Sequence, residues 1–393
     1  MRTGNTIYLD HQATTPLDKG VFGEMLPFLT DSFANPHSSD HASGWTAAAA
    51  VNAASAKIGA LIGCDNDEII YTSGATEANN LAIFGIRRLS QKCYRKRIIT
   101  TEIEHKSSLA ACAAMSNDYG TEISFCRIAE DGQIDLNHLE EIISEEILLL
   151  SIGAVNSEIG TIQDIKAIYE LASRFGVLVH LDAAQMPLAS DMSGAAGHAD
   201  MISLSGHKIY GPMGIGCLYV KRQLQSEIAP LIYGGGQQQG IRSGTLPVPL
   251  CVGMGAACDL LQRLPQIRES LRRKNLMLWD ALSALGWEIS LNGAPISARH
   301  PGNLNVRFAG FQADELLGAL QPNLAVSTGS ACTSGTPEAS HVLRAIGLSE
   351  DEARSSIRFG VGRFTTDEDI VRAVELVADA LARFEAVGLR ELV

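Results

Sequence analysis

Along the first two-thirds of the chain, short apolar runs bounded by glycine and small polar residues alternate with segments of helical period. The runs at 68–72, 97–100, 147–152, 177–181, 201–204 and 216–220 predict strands. The segments at 76–89, 107–115 and 164–175 predict helices, and the alanine-rich stretch 46–56 predicts another, because alanine has the highest helix propensity. Strands this apolar, each followed by a helix, pack into a mostly parallel sheet covered on both faces. Ligands of such sheets sit beyond the carboxyl ends of the strands. Pro247 and Pro249 mark a boundary, after which a long helical region, broken near Pro265, runs to about 285. Shorter strands at 287–291, 304–308 and 356–359 then alternate with helices at 313–320 and 367–384. The pattern is α/β throughout. It predicts a large domain over 16–265 and a smaller α/β domain built from 1–15 and 266–393, with the site in the cleft between them.

Composition narrows the class. At 393 residues, 46% hydrophobic and 19% charged, the chain has the make-up of a globular enzyme with ample core. A formal charge of −13 argues against direct binding to nucleic acid or anionic membranes. The basic clusters Arg87-Arg88 and Arg95-Lys96-Arg97 read as solvated surface. No apolar run is long enough for a membrane span and no signal core precedes Asp10 and His11, so the cytosol is the expected compartment. Eight cysteines occur without any C-x-x-C pair, so no metal site is signalled, and seven of them read as buried hydrophobes.

The candidate chemistry lies at strand ends. Lys208 follows the turn Ser205-Gly206-His207, and Asp182 closes the apolar run 177–181. Pyridoxal phosphate (PLP) needs such a pair: an amine for a Schiff base, and a carboxylate to hold its ring nitrogen protonated. Gln185, three residues beyond Asp182, is placed to donate to the ring's phenolic oxygen. Ser73-Gly74-Ala75-Thr76 joins a strand to a helix and reads either as an anion site made of helix N-terminal amides or as simple capping. Ser205 and His207 can donate to the same phosphate. His105 opens a helix after a strand, where it can stack on a ring and shuttle protons. Cys332 lies in a run of small polar residues, 327–336, and reads as an accessible thiol. Arg358, inside a predicted strand, needs an anion, and a substrate carboxylate fits by bidentate pairing.

Several blocks resemble the cysteine desulfurases of the NifS/IscS-like branch, within the fold-type-I PLP-dependent enzymes. They are 8–16 (YLDHQATTP), 35–38 (NPHS), 72–77 (TSGATE), 205–212 (SGHKIYGP), 242–247 (RSGTLP) and 329–332 (GSAC), the last resembling the long-loop group. The resemblance implies a large domain with a mostly parallel seven-stranded sheet. It implies Lys208 as the Schiff-base lysine, Asp182 on the ring nitrogen, Gln185 on the phenolic oxygen and His105 stacked on the ring. Ala75, Thr76, Ser205 and His207 would hold the phosphate, with Thr245 supplied by the second subunit of a homodimer. Arg358 would bind the carboxylate of L-cysteine, and Cys332 would take the sulfur as a persulfide for a sulfur-acceptor protein. Such enzymes serve iron-sulfur cluster assembly, transfer RNA thiolation and DNA phosphorothioation, and acceptor choice lives in surface contacts. A selenocysteine lyase, an aminotransferase relative and a catalytically silent scaffold are the competing readings. The last rests on Ser157, which stands where the family shows a second asparagine. Gln237-Gln238-Gln239 likewise replaces a more charged stretch.

Overall fold

The computed structural model describes residues 1–92, 94–263, 266–329 and 339–386. Its centre is a seven-stranded sheet. In spatial order the strands are Ile69–Thr72, Gly216–Val220, Met201–Ser205, Leu178–Asp182, Ile147–Gly153, Arg97–Thr100 and Glu122–Phe125. Gly216–Val220 is antiparallel to both neighbours, and the other four pairings of the sheet are parallel, so six strands run one way. The central strands are apolar on both faces because helices cover both: Ile147, Leu148, Leu149, Leu150 and Ile152 are all buried.

The alanine-rich segment forms the helix Ala42–Ile62, with Ala47, Val51, Ala54 and Ile58 buried along one stripe. The helix expected over 76–89 is two helices, Ala75–Gly85 and Arg87–Lys92. The break has a visible partner: Arg87 donates to the carbonyls of Phe84, Ala229 and Pro230, which ties this corner to the loop around 229. Arg95 likewise donates to the carbonyls of Ile147, Phe175 and Gly176, and Arg97 pairs with Glu122. Much of the basic cluster is therefore committed to structure within the chain.

The C-terminal part contains the antiparallel sheet Ile289–Leu291, Asn303–Phe308 and Ser356–Gly360, packed by the helices Ile267–Ser283, Ala313–Leu320 and Asp367–Ala386. The N-terminal strand Thr6–Tyr8 pairs in parallel with Leu324–Ala325, and Asp10 bridges to Gly360. That route carries residues 10–15 across the ends of the large sheet. Of the six described cysteines, five are buried as expected, and Cys64 is half-buried. No described helix is long and apolar enough to cross a membrane, and no metal-ligating cluster occurs among the described residues.

Candidate active site

A cavity of about 610 Å³ opens at the carboxyl ends of the parallel strands, where the 10–15 segment meets them. Its lining gathers Ala75, Thr76, His105, Asp182, Gln185, Ser205, His207, Lys208 and Arg358 from five separate stretches of sequence. Thr245 lies outside it, on an exposed loop. Cys332 lies outside the described residues, but Gly329 and His341, on either side of it in sequence, both line the cavity.

Lys208 ends a single turn directly after Met201–Ser205. Its Nζ donates to the carbonyls of Gln12 and Ala13, so the amine is held at the cavity wall by residues of the N-terminal crossing. The Gln185 amide donates to the same Gln12 carbonyl at 2.9 Å. His207 is tied to Thr14 through Nδ1 at 3.1 Å, and burial together with the Lys208 charge pushes its pKa down to about 4.

Asp182 closes its strand as expected. Its Oδ1 accepts from the Ala184 amide at 3.1 Å. Its Oδ2 accepts from Asn79 Nδ2 at 2.6 Å. The same Asn79 nitrogen donates to Ser107 Oγ at 3.0 Å, and Ser107 Oγ meets His105 Nδ1 at 2.7 Å. A chain of side chains therefore joins the carboxylate to the imidazole. The Ser107 amide also donates to Nδ1, at 3.1 Å, which leaves the ring proton on Nε2. Desolvation lowers the His105 pKa and the Lys208 charge adds to that, against the pull of Asp182, so the ring is neutral near pH 7.

One wall of the cavity is a helix N-terminus. Gly74, at the cap position of Ala75–Gly85, offers no side-chain acceptor to the first-turn amides, so a side-chain cap does not occupy them. Glycine is required here by proximity: a Cβ on Gly216 would lie 2.6 Å from the Gly74 Cα and 2.5 Å from the Leu204 carbonyl oxygen. The two backbones touch, and the helix start is pressed against the strand ends beside Ser205. Glu77 in the first turn is neutralised by Arg242, at 2.8 Å, which removes its repulsion of an anion.

These residues fit PLP. The uncapped amides of Ala75 and Thr76 would hold the phosphate, the Lys208 amine would carry the cofactor, Asp182 would hold the ring nitrogen protonated, and His105 would lie beside the ring. When bound, the group supplies an electron sink for the substrate carbons.

Arg358 departs from its sequence reading in one respect. Its buried guanidinium already has an anion within the chain: Nη2 donates to Asp10 Oδ1 at 2.8 Å, and Nη1 to the Ser157 carbonyl at 3.1 Å. Its Nε is buried with no hydrogen-bond partner, which leaves one donor facing no acceptor. Ser157 acts here through its carbonyl, a group that any residue at this position supplies. Asn79, Ser107 and Asp10 are neighbours of these groups to which sequence reasoning gave no role. Asp10 lies inside the block 8–16, and Asn79 lies three residues after Thr76 and so on the same helix face.

Comparison with known proteins agrees with this geometry. A model of the aminotransferase class-V family matches residues 7–372. Cysteine desulfurase IscS of Rickettsia rickettsii (strain Iowa) is 44% identical over 386 residues, which is 97% of this chain and 92% of its own. Among solved structures, a NifS-like protein superposes with a TM-score of 0.89 at 30% identity, covering 96% of this chain and 100% of its own. SspA in complex with cysteine gives 0.80 at 36% identity, covering 91% and 99%. The chain belongs to the aminotransferase class-V family and has a NifS-like fold. Within that family it is a PLP-dependent cysteine desulfurase.

Proposed function

We propose that the chain moves sulfur from L-cysteine onto the Cys332 thiol, releases L-alanine, and hands the sulfur to an acceptor protein in the cytosol. In the first half the Cβ–S bond of the substrate breaks and an S–S bond to Cys332 forms. The proton leaving the thiol and the proton returned to the substrate balance, so no outside oxidant or reductant enters. Arg358 orients the substrate carboxylate. Lys208 takes the Cα proton, and His105, neutral and protonated at Nε2, donates or accepts at the sulfur. The observation that carries this reading is the meeting of Lys208, Asp182, His105 and Arg358 in one cavity whose lining includes Gly329 and His341, the described residues on either side of Cys332.

Radiosulfur-labelled L-cysteine is expected to label Cys332 and to yield alanine in equal amount. Cys332→Ser is expected to lose the label while keeping the PLP absorbance. Failure of the cofactor-saturated wild type to release sulfide with cysteine and a thiol reductant overturns the reading.

The same reading includes a homodimer. Thr245 is exposed, as are Phe33 at 78%, Trp45 at 60% and Leu29 at 52%, an amount of apolar surface that a second copy would cover. Mixed dimers of Lys208→Ala and Thr245→Ala chains are expected to bind PLP at a level that depends on which subunit carries which change. A fully active, PLP-saturated monomer counts against the dimer.

A further inference from the structure

The run Gln237-Gln238-Gln239, which stands in place of a more charged stretch, takes no part in the mechanism, yet each of its amides is engaged. Gln238 makes the closest contacts. Its Oε1 accepts from the Tyr71 amide at 2.6 Å, and its Nε2 donates to the Tyr71 carbonyl at 3.0 Å. Tyr71 lies in Ile69–Thr72, which among the described residues is an edge strand, paired on one side with Gly216–Val220. The side chain thus covers the open edge of the sheet as another strand would. An edge residue presents one N–H and one C=O together, and only an amide side chain both accepts and donates: a carboxylate only accepts, and a guanidinium or ammonium only donates. That is a chemical reason for glutamine at 238 in place of a charge.

The same amide reaches the far arm of its loop. Gln238 Nε2 also donates to the Arg242 carbonyl at 3.3 Å, and Gln237 Oε1 accepts from the Gly244 amide at 2.8 Å. Gln238 and Gln239 both have left-handed backbone, with φ +52° and +60°, a conformation that non-glycine residues keep only where their surroundings hold it. Arg242, so held, donates from Nε to Glu77 Oε1 at 2.8 Å and from Nη2 to Glu77 Oε2 at 3.3 Å. Glu77 Oε2 in turn accepts from the Ser73 amide at 2.7 Å. One loop therefore grips the chain on both sides of Ser73-Gly74-Ala75-Thr76, at Tyr71 before the turn and at Glu77 after it.

We infer that Gln238 is a positioning residue for the cofactor phosphate: by tying Arg242 to the sheet edge it keeps Glu77 neutralised and the first-turn amides of Ala75–Gly85 in place. The inference rests on the reading that these amides hold the phosphate of PLP. Gln238 does not line the cavity, so its effect reaches the cofactor only through the turn.

The test sets PLP against pyridoxal, which has the same ring and aldehyde but no phosphate, in equilibrium dialysis with the full chain freed of cofactor and a melting curve of each variant beside it. Gln238→Met keeps the length of the side chain and loses all three hydrogen bonds. It is expected to raise the PLP dissociation constant at least about fivefold and to leave that of pyridoxal within about twofold. Gln238→Asn keeps the amide but is one methylene too short to reach Tyr71, and is expected to behave alike. In an Arg242→Ala background Gln238→Met is expected to add less than about twofold, because the arginine it positions is gone. Wild-type PLP affinity in either variant, equal weakening of both ligands, or additivity with Arg242→Ala overturns the inference. A wild type that binds pyridoxal as tightly as PLP fails the parent reading instead. Should Gln238→Met fail to fold, the Gln238→Asn comparison decides alone.

Discussion

A buried arginine that already has a carboxylate partner still makes a good receptor for a second anion when its geometry leaves a donor over. Arg358 spends one N–H of Nη2 on Asp10 and one of Nη1 on the Ser157 carbonyl, which leaves each of these nitrogens a second N–H. Asp10 offsets the cost of keeping the guanidinium in the wall before substrate arrives. A lysine at this place keeps the charge but has one nitrogen and no planar fork. Arg358→Lys is therefore expected to raise KM for L-cysteine at least about tenfold, with a much smaller change in kcat, because the lost contact is made equally to substrate and transition state. Steady-state kinetics with sulfide detection measures this, and an unchanged KM would place the substrate carboxylate elsewhere. At this scale the sequence was readable where chemistry sits in a recognisable run, as at Lys208 and Asp182. It was silent on Asn79 and Ser107, because neither residue type is unusual and their chain from Asp182 to His105 exists only after three separate segments converge.

The elements show the same division. Strands apolar on both faces were legible, since burial on two sides leaves an unbroken run: Ile147–Gly153 and Met201–Ser205 fall within a residue of their predicted limits. The sheet's last strand, Glu122–Phe125, was not picked out, because it is an edge strand with Glu122 and Phe125 exposed and too short to show alternation. Apolar period alone also ran through Ile86, where the helix breaks in two. What no pattern reports is how closely two elements approach. The contact of Gly216 with Gly74 sets the helix start against the strand ends, and its strength is open to measurement. Gly216→Ala places a methyl 2.5 Å from the Leu204 carbonyl oxygen and 2.6 Å from Gly74 Cα, so one backbone must shift. Overpacking of this kind costs about 1–3 kcal/mol. The shift falls on the anion site, so the PLP dissociation constant is expected to rise at least about tenfold, more than the loss of thermal stability alone explains. Equilibrium dialysis against PLP, with a melting curve of the cofactor-free protein beside it, separates the two effects; unchanged affinity would mean that the helix start does not hold the phosphate.

Across the whole molecule, the cavity's demand for buried polar groups gives folding stability a particular pH dependence. Burial lowers His11, His180, His207 and His300 to about 4, the Lys208 charge adding to the fall at His207, and the Gly360 carbonyl at His11 and the Asp182 charge at His180 acting the other way. Burial raises Glu104 to about 8, with Asp182 adding to the rise, and Glu158 to about 7. In the unfolded chain these groups titrate near 6.5 and 4.5. Below pH 6.5 the unfolded histidines take up protons that the folded ones refuse, so stability falls as pH drops towards 4. Above pH 4.5 the unfolded carboxyls release protons that the folded ones keep, so stability falls as pH rises, through 7 for Glu158 and through 8 for Glu104. Each group contributes about 1.4 kcal/mol per pH unit inside its window. Between 4.5 and 6.5 four histidines act against two carboxyls and the histidines win; above 6.5 the carboxyls act alone. Urea unfolding of the cofactor-free protein is thus expected to show greatest stability near pH 6.5, with a decline on both sides. Glu104→Gln cannot ionise in either state, so it is expected to remove the part of the alkaline decline extending to pH 8 and to steepen the fall below pH 6.5, where the histidines then have one carboxyl fewer against them. A stability that instead climbs steadily from pH 6.5 to 8 in the wild type would mean that both carboxyls are charged in the folded protein, and that the cavity is wetter than its packing indicates.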